Sequence, residues 1–200
     1  MQFVLLVLIG YLIGSIPTSY LSMRLFTGKD LRKLGTGNAT VTAAFIHGGR
    51  KPGTVAFVVE MAKAGVCLLI AHAMVGETWA SLTILVAAVI GCNWPIWLRR
   101  AGGQGQTIGM VGLVILAPIA MLVAASTYVL PQLVTRKHLL SNMLFHLGLP
   151  LILWLMGGSW EWGLAGFLIV APFLIKQWTA GDDVVRAREA HNVGHNEAGV

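Results

Sequence analysis

Long apolar runs, divided by short turns and by loops that hold nearly all the charge, constrain this chain more than any other feature. The first three runs extend from Phe3 to Met23, from Gly53 to Val75 and from Trp79 to Leu98. Ile108 to Leu133, Leu139 to Met156 and Trp162 to Ile175 follow. A helix needs about 20 predominantly apolar residues to cross the hydrocarbon core of a bilayer. Of the 200 residues, 56% are hydrophobic and 11% are charged, against about 25% charged in a soluble domain. In lipid the backbone groups must be paired internally, which for runs of this length specifies helices. The expected fold is an all-α, polytopic membrane helix bundle of about seven transmembrane or part-spanning segments. The membrane domain would cover residues 1–176, with a polar tail at 177–200. The first run has no basic stretch before it and no small-residue cleavage site after it, so it reads as a retained span rather than a signal peptide.

Charge sets the expected orientation. Lys and Arg number 14 against 8 Asp and Glu, a formal net charge of +6. No dense basic stripe with interleaved aromatics accompanies that excess, so no nucleic-acid partner is expected; the bias is that of inward-facing membrane loops. With the Arg24–Lys51 loop inside, the N-terminus and Glu77 lie outside and Arg99-Arg100 lies inside. One straight span over Ile108–Leu133 would then strand Arg136-Lys137 outside. A bend at Pro118, which lacks the N–H that a helix interior requires, returns both basic groups and the C-terminus to the cytoplasmic side. The two arms of that bend cannot both be full spans, so at least one must be short and sheltered by protein.

Two loops carry the candidate chemistry. Asp30-Leu31-Arg32-Lys33-Leu34-Gly35-Thr36-Gly37-Asn38 is basic and punctuated by glycine. Gly35 and Gly37 can adopt positive φ and leave backbone N–H groups open, and successive open N–H groups form an anion-binding concavity. Thr36 and Asn38 add side-chain donors. Gly102-Gly103-Gln104-Gly105 forms a second glycine loop on the same expected face. Lys63 follows Glu60 by three residues on one helix face. Ionisable groups within a span face a partner or a cavity, so Lys63 either neutralises Glu60 or faces an anionic ligand. Asn93, with Pro95, closes the third run, where it caps backbone groups or binds ligand. His72 and His146 lie within apolar runs and read as packed or interhelical groups. Cys67 and Cys92 read as packing thiols. His191 and His195 have i, i+4 spacing but no third ligand, so no metal site is expected.

These motifs, in this order, resemble those of the bacterial membrane acyl-phosphate:glycerol-3-phosphate acyltransferases. The resemblance rests on Gly14-Ser15-Ile16-Pro17-Thr18-Ser19-Tyr20 at the end of the first span and on the Asp30–Asn38 loop, with Thr36 in place of Ser. Glu60-Met61-Ala62-Lys63-Ala64, Cys92-Asn93-Trp94-Pro95 and Gly102-Gly103-Gln104-Gly105 follow. It covers roughly residues 8–110. It implies a seven-helix enzyme of the bacterial plasma membrane that moves an acyl chain from acyl phosphate to the sn-1 hydroxyl of glycerol 3-phosphate, giving lysophosphatidic acid. It implies no coenzyme A and no metal, and therefore no cofactor. The phosphates would be bound on the cytoplasmic side by Thr36, Gly37, Asn38, Thr42, Lys63, Asn93, Gly102, Gly103, Gln104 and Gly105, with the acyl tail toward the bilayer lipids.

The chain also departs from that pattern. Gln104 stands where the family has a loop lysine, Cys92 where it has His and Ala43 where it has Asn. Arg136-Lys137-His138-Leu139 lacks the family's Ser, and no Arg-His-x-x-Asn element is visible near Lys176-Gln177-Trp178. Charge-assisted contacts to phosphate are among the stronger hydrogen bonds. The alternative reading is therefore a catalytically inactive relative that binds phosphate or lipid headgroups.

Overall fold

The computed structural model describes residues 1–98, 101–180, 183, 184 and 187. Arg99, Arg100, His191 and His195, singled out above, lie outside the described residues. The described elements are all helical. α1 (Gln2–Ser15) and α2 (Thr18–Thr27) precede a single 3-10 turn at Leu31–Lys33. α3 (Val41–Gly48), α4 (Arg50–Met74) and α5 (Thr78–Asn93) follow. α6 (Gln106–Leu116), α7 (Pro118–Thr135), α8 (His138–Gly157) and α9 (Trp160–Ala180) complete the bundle.

Two prolines divide apolar runs. Pro118 opens α7 immediately after Ala117, whose φ of −141° and ψ of 64° leave the helical region. The expected break at Pro118 is thus present. α6 has 11 residues, about 16 Å at 1.5 Å per residue, too short to cross a core about 30 Å thick. The first run, expected to be one helix to Met23, instead breaks at Ile16-Pro17. A residue before proline is pushed out of the α region, and Ile16 is extended, with φ −62° and ψ 115°. The expected Arg24–Lys51 loop is partly helical: the Thr40 hydroxyl accepts from the Ala43 N–H at 2.9 Å and starts α3. The third run ends as a helix at Asn93, earlier than Leu98. The division expected at residue 176 falls inside α9.

By length and composition, Gln2–Thr27, α4, α7 and α8 can each cross a bilayer. Their outer faces expose Leu12, Leu69, Leu122 and Leu133, which in lipid need no covering partner. Inside, Leu85, Val89, Ile108, Leu149 and Ile169 form one core. Met23, Leu31, Ala43 and Ala56 form a second beneath the first loop. α1 packs along α5 at backbone distance. A Cβ on Gly10 would strike Ile84 O, one on Gly14 would strike Ala88 O, and one on Gly91 would strike Tyr11 O. Without a hydrophobic drive between helices in lipid, close approach through small residues supplies the attraction.

Candidate active site

The break at Pro17 creates the first polar anchor. The Ile16 carbonyl leaves the helical ladder and accepts from Lys63 Nζ at 2.6 Å. The same amine donates to Glu60 Oε1 at 2.8 Å. Both side chains are buried, and the Cys92 thiol donates to Glu60 Oε2 at 3.9 Å. Lys63 thus joins α4 to the α1–α2 corner and does not border the main cavity.

The Asp30 loop is held locally. The Asp30 carboxylate accepts from the Arg32 backbone N–H at 3.0 Å and from its guanidinium at 3.0 and 2.7 Å. The side-chain bond to Arg32 holds the Asp30 carboxyl at about 2, below its ordinary value, so this exposed clamp persists until the pH falls through that value. The guanidinium also lies 5.1 Å from the centre of the Tyr20 ring. Gly35 and Gly37 have φ of 54° and 77°. The Gly37 N–H is used within the turn, donating to Leu34 O at 2.9 Å. The Asn38 side chain is buried, and its Nδ2 has no acceptor among the described residues.

The second glycine loop is fastened on both sides. Gly102 O accepts from the Ala39 N–H at 3.2 Å and from Lys176 Nζ at 3.0 Å. Asn93 Nδ2 donates to Val89 O at 2.8 Å and to Gln104 O at 3.0 Å, joining the end of α5 to the loop. A side chain is sterically excluded at Gly102, where a Cβ would lie 2.5 Å from the backbone oxygens of both Asn93 and Cys92.

Between these loops and the later helices lies a cavity of about 370 Å³. Thr40, Thr42, Gln104, Gln106 and Asn142 contribute polar groups; Met110, Val129, Phe145 and Phe173 contribute apolar ones. A smaller cavity of about 40 Å³ shares Thr42 and Gln104 and reaches Gly103, Gly105, Glu60 and Cys92. Tyr128 OH and His138 Nδ1 are 2.9 Å apart on the main wall. His146 Nδ1 lies 2.7 Å from Asn142 O, an acceptor. Nδ1 therefore carries the proton, and Nε2 accepts from Gln106 Nε2 at 3.1 Å. Among the described residues, the main cavity is bordered by one carboxylate, Asp183, and by no Lys or Arg. The arrangement offers neutral donors to anionic oxygens and an apolar surface to a hydrocarbon chain.

Residues 4–189 match the family described as glycerol-3-phosphate acyltransferase. The chain belongs to this family. Glycerol-3-phosphate acyltransferase 4 of Dehalococcoides mccartyi (strain CBDB1) is 33% identical over 62% of this chain and 54% of that relative. The glycerol-3-phosphate acyltransferase of Thermosynechococcus vestitus is 32% identical over 84% of this chain and 83% of its own. The solved structure of PlsY, an integral membrane glycerol 3-phosphate acyltransferase, in its glycerol 3-phosphate form, superposes with a TM-score of 0.76. It covers 100% of this chain and 94% of that one at 22% identity, a likeness of fold.

For this member of the acyltransferase family, the structure gathers Thr42 and Gln104 on the main cavity and Gly103 and Gly105 on the smaller cavity that shares part of its lining. Gly102 and Asn93 tie the loop in place, and Lys63 ties helices. Sequence reasoning missed Gln106, Tyr128, Asn142, Lys176 and Asp183. By sequence Lys176 is the last residue of the membrane domain, beside the polar tail, but it is buried against the second glycine loop. Asp183 belongs by sequence to the tail, yet it accepts from Thr36 and Thr40 across the chain. Tyr128 and Asn142, polar positions inside otherwise apolar runs, were the available signals; Lys176 and Asp183 carried none.

Proposed function

We propose that this chain is an integral-membrane acyltransferase that moves an acyl chain from acyl phosphate to the sn-1 hydroxyl of glycerol 3-phosphate, forming lysophosphatidic acid. The observation that carries this reading is the mixed cavity, where hydroxyl and amide donors beside the glycine loops meet apolar walls from α6 to α9. In the reaction the acceptor hydroxyl oxygen attacks the acyl carbonyl carbon. The carbonyl carbon–phosphate oxygen bond breaks, and the phosphate departs with the bonding electrons. The hydroxyl proton ends on the released phosphate. Thr42 and Gln104 donate to phosphate oxygens, while Met110, Phe145 and Phe173 receive the chain next to the reacting carbonyl.

The test is transfer from acyl phosphate to labelled glycerol 3-phosphate by the purified protein in lipid. Labelled lysophosphatidic acid is the expected product; its absence would leave a binding protein. Gln104→Lys adds a cationic donor to the cavity wall. It is expected to raise transfer or phosphate affinity on the order of ten- to a hundredfold, since a hydrogen bond to a charged group contributes roughly 1.5–3 kcal/mol.

The orientation follows from charge. With the glycine loops cytoplasmic, the Pro118 break returns Arg136 and Lys137 to that side, and the N-terminus faces outward. A cysteine replacing Lys137 is expected to react with an impermeant maleimide from inside-out vesicles only. Labelling from the outer side of intact cells would refute this orientation.

A further inference from the structure

The Asp183 carboxylate is 7% exposed and rests on three donors. Oδ1 accepts from the Thr36 backbone N–H at 2.9 Å. Oδ2 accepts from the Thr36 hydroxyl at 3.2 Å and from the Thr40 hydroxyl at 3.3 Å. The donors belong to one loop and to the cap of α3, whereas the acceptor comes from 147 residues beyond Thr36. Gly35 makes room for it: a Cβ there would lie 2.5 Å from Oδ1. Asp183 and Thr40 both border the 370 Å³ cavity. One backbone N–H and two hydroxyls converging on two anionic oxygens can hold a phosphate as they hold a carboxylate.

We propose that Asp183 is an internal anion occupying a phosphate seat made by Thr36 and Thr40, and that substrate phosphate binds by displacing it. The seat has donors enough for one anion, and two anions in contact repel. Phosphate affinity is therefore lowered by the fraction of time the seat is open. After transfer, the returning carboxylate favours product departure. The identity of the phosphate rests on the acyltransferase reading; the seat and its occupant do not.

Asp183→Asn keeps the size and an acceptor oxygen for the Thr36 N–H but removes the charge. Asp183→Ala removes the side chain. Inorganic phosphate and glycerol 3-phosphate are titrated against the melting temperature of the full chain in detergent, and KM and kcat are measured separately. A seat open about one-tenth of the time binds tenfold more weakly. Both variants are accordingly expected to reach half-maximal stabilisation at about tenfold lower phosphate, with KM for glycerol 3-phosphate falling in parallel. Thr36→Val combined with Thr40→Val should abolish that gain. An unchanged or raised half-point in both variants, whether or not the unliganded melting temperature drops, would make Asp183 a structural clamp and overturn the proposal. A hundredfold loss of kcat with unchanged phosphate binding would make it a proton acceptor and also overturn it. If the parent protein transfers no acyl group yet Asp183→Asn tightens phosphate, the acyltransferase reading fails and the competitor stands. If the parent transfers the acyl group and neither variant tightens phosphate, the competitor fails and the acyltransferase reading stands.

Discussion

Lys63→Ala is expected to destabilise the protein by about 3–5 kcal/mol, the cost of breaking a buried ion pair from one side. Two partners lose their donor together. Glu60 is left as a buried carboxylate with the Cys92 thiol at 3.9 Å, and the Ile16 carbonyl loses its 2.6 Å bond at the Pro17 break. Thermal melting in detergent reads the loss. Replacing Lys63 with Met and Glu60 with Gln in one protein should recover much of it, because an uncompensated charge is no longer buried. Phosphate should still raise the melting temperature of whatever folded Lys63→Ala protein remains, since ligand binding stabilises by mass action. A variant that melts like the parent but no longer responds to phosphate would instead make Lys63 a ligand group.

Gly14→Val is expected to be damaging on a similar scale. The added Cβ would enter the space of the Ala88 carbonyl, which belongs to the α5 backbone and cannot rotate away. Overpacking of side chains typically costs 1–3 kcal/mol; separating two helix backbones should reach about 3 kcal/mol or more on that scale. Size-exclusion chromatography and melting should show loss of the folded species. Gly65→Ala is the matched control, because a Cβ there meets nothing within 4 Å. It should leave stability unchanged or raise it by up to about 1 kcal/mol, the helix-propensity difference. Equal damage from both substitutions would remove close α1–α5 packing as the cause.

The helices are legible in the sequence because apolar length and loop charge are local signals. The Pro118 break is legible for a related reason: a straight span conflicts with the charge on Arg136 and Lys137. Pro17 carries the same chemical signal but produces no charge conflict, so nothing in the charge pattern exposes that break. α3 is hidden in a loop defined by its basic ends, although Thr40 followed by Val41, Ala43, Ala44 and Phe45 has the form of a capped apolar helix. The glycine loops are recognisable by composition. The bonds from Thr36 and Thr40 to Asp183 are not, because that acceptor comes from 147 residues beyond Thr36. For the same reason Gly10 looks like an ordinary member of an apolar run, and Gly14 is marked only by the motif it opens. Their role depends on the carbonyls of Ile84 and Ala88, which no spacing within α1 reveals.

The short α6 has a consequence for how reactants meet. Its first residue, Gln106, bonds His146 on α8, and α8 rises about 12 Å from His138 to that level at 1.5 Å per residue. Its last residue, Leu116, borders a cavity with Gly157 and Trp162 at the opposite end of α8. With the His138 end of α8 at the cytoplasmic headgroups, as in the orientation proposed above, the second glycine loop would be sunk into the thickness of the bilayer. A water-soluble phosphate ester must descend to that depth and shed bulk water on the way. The hydrocarbon tail of an amphiphilic donor is already there and can arrive sideways through the membrane. The short helix thus lowers the polar reagent to the apolar one, instead of lifting a lipid chain into water.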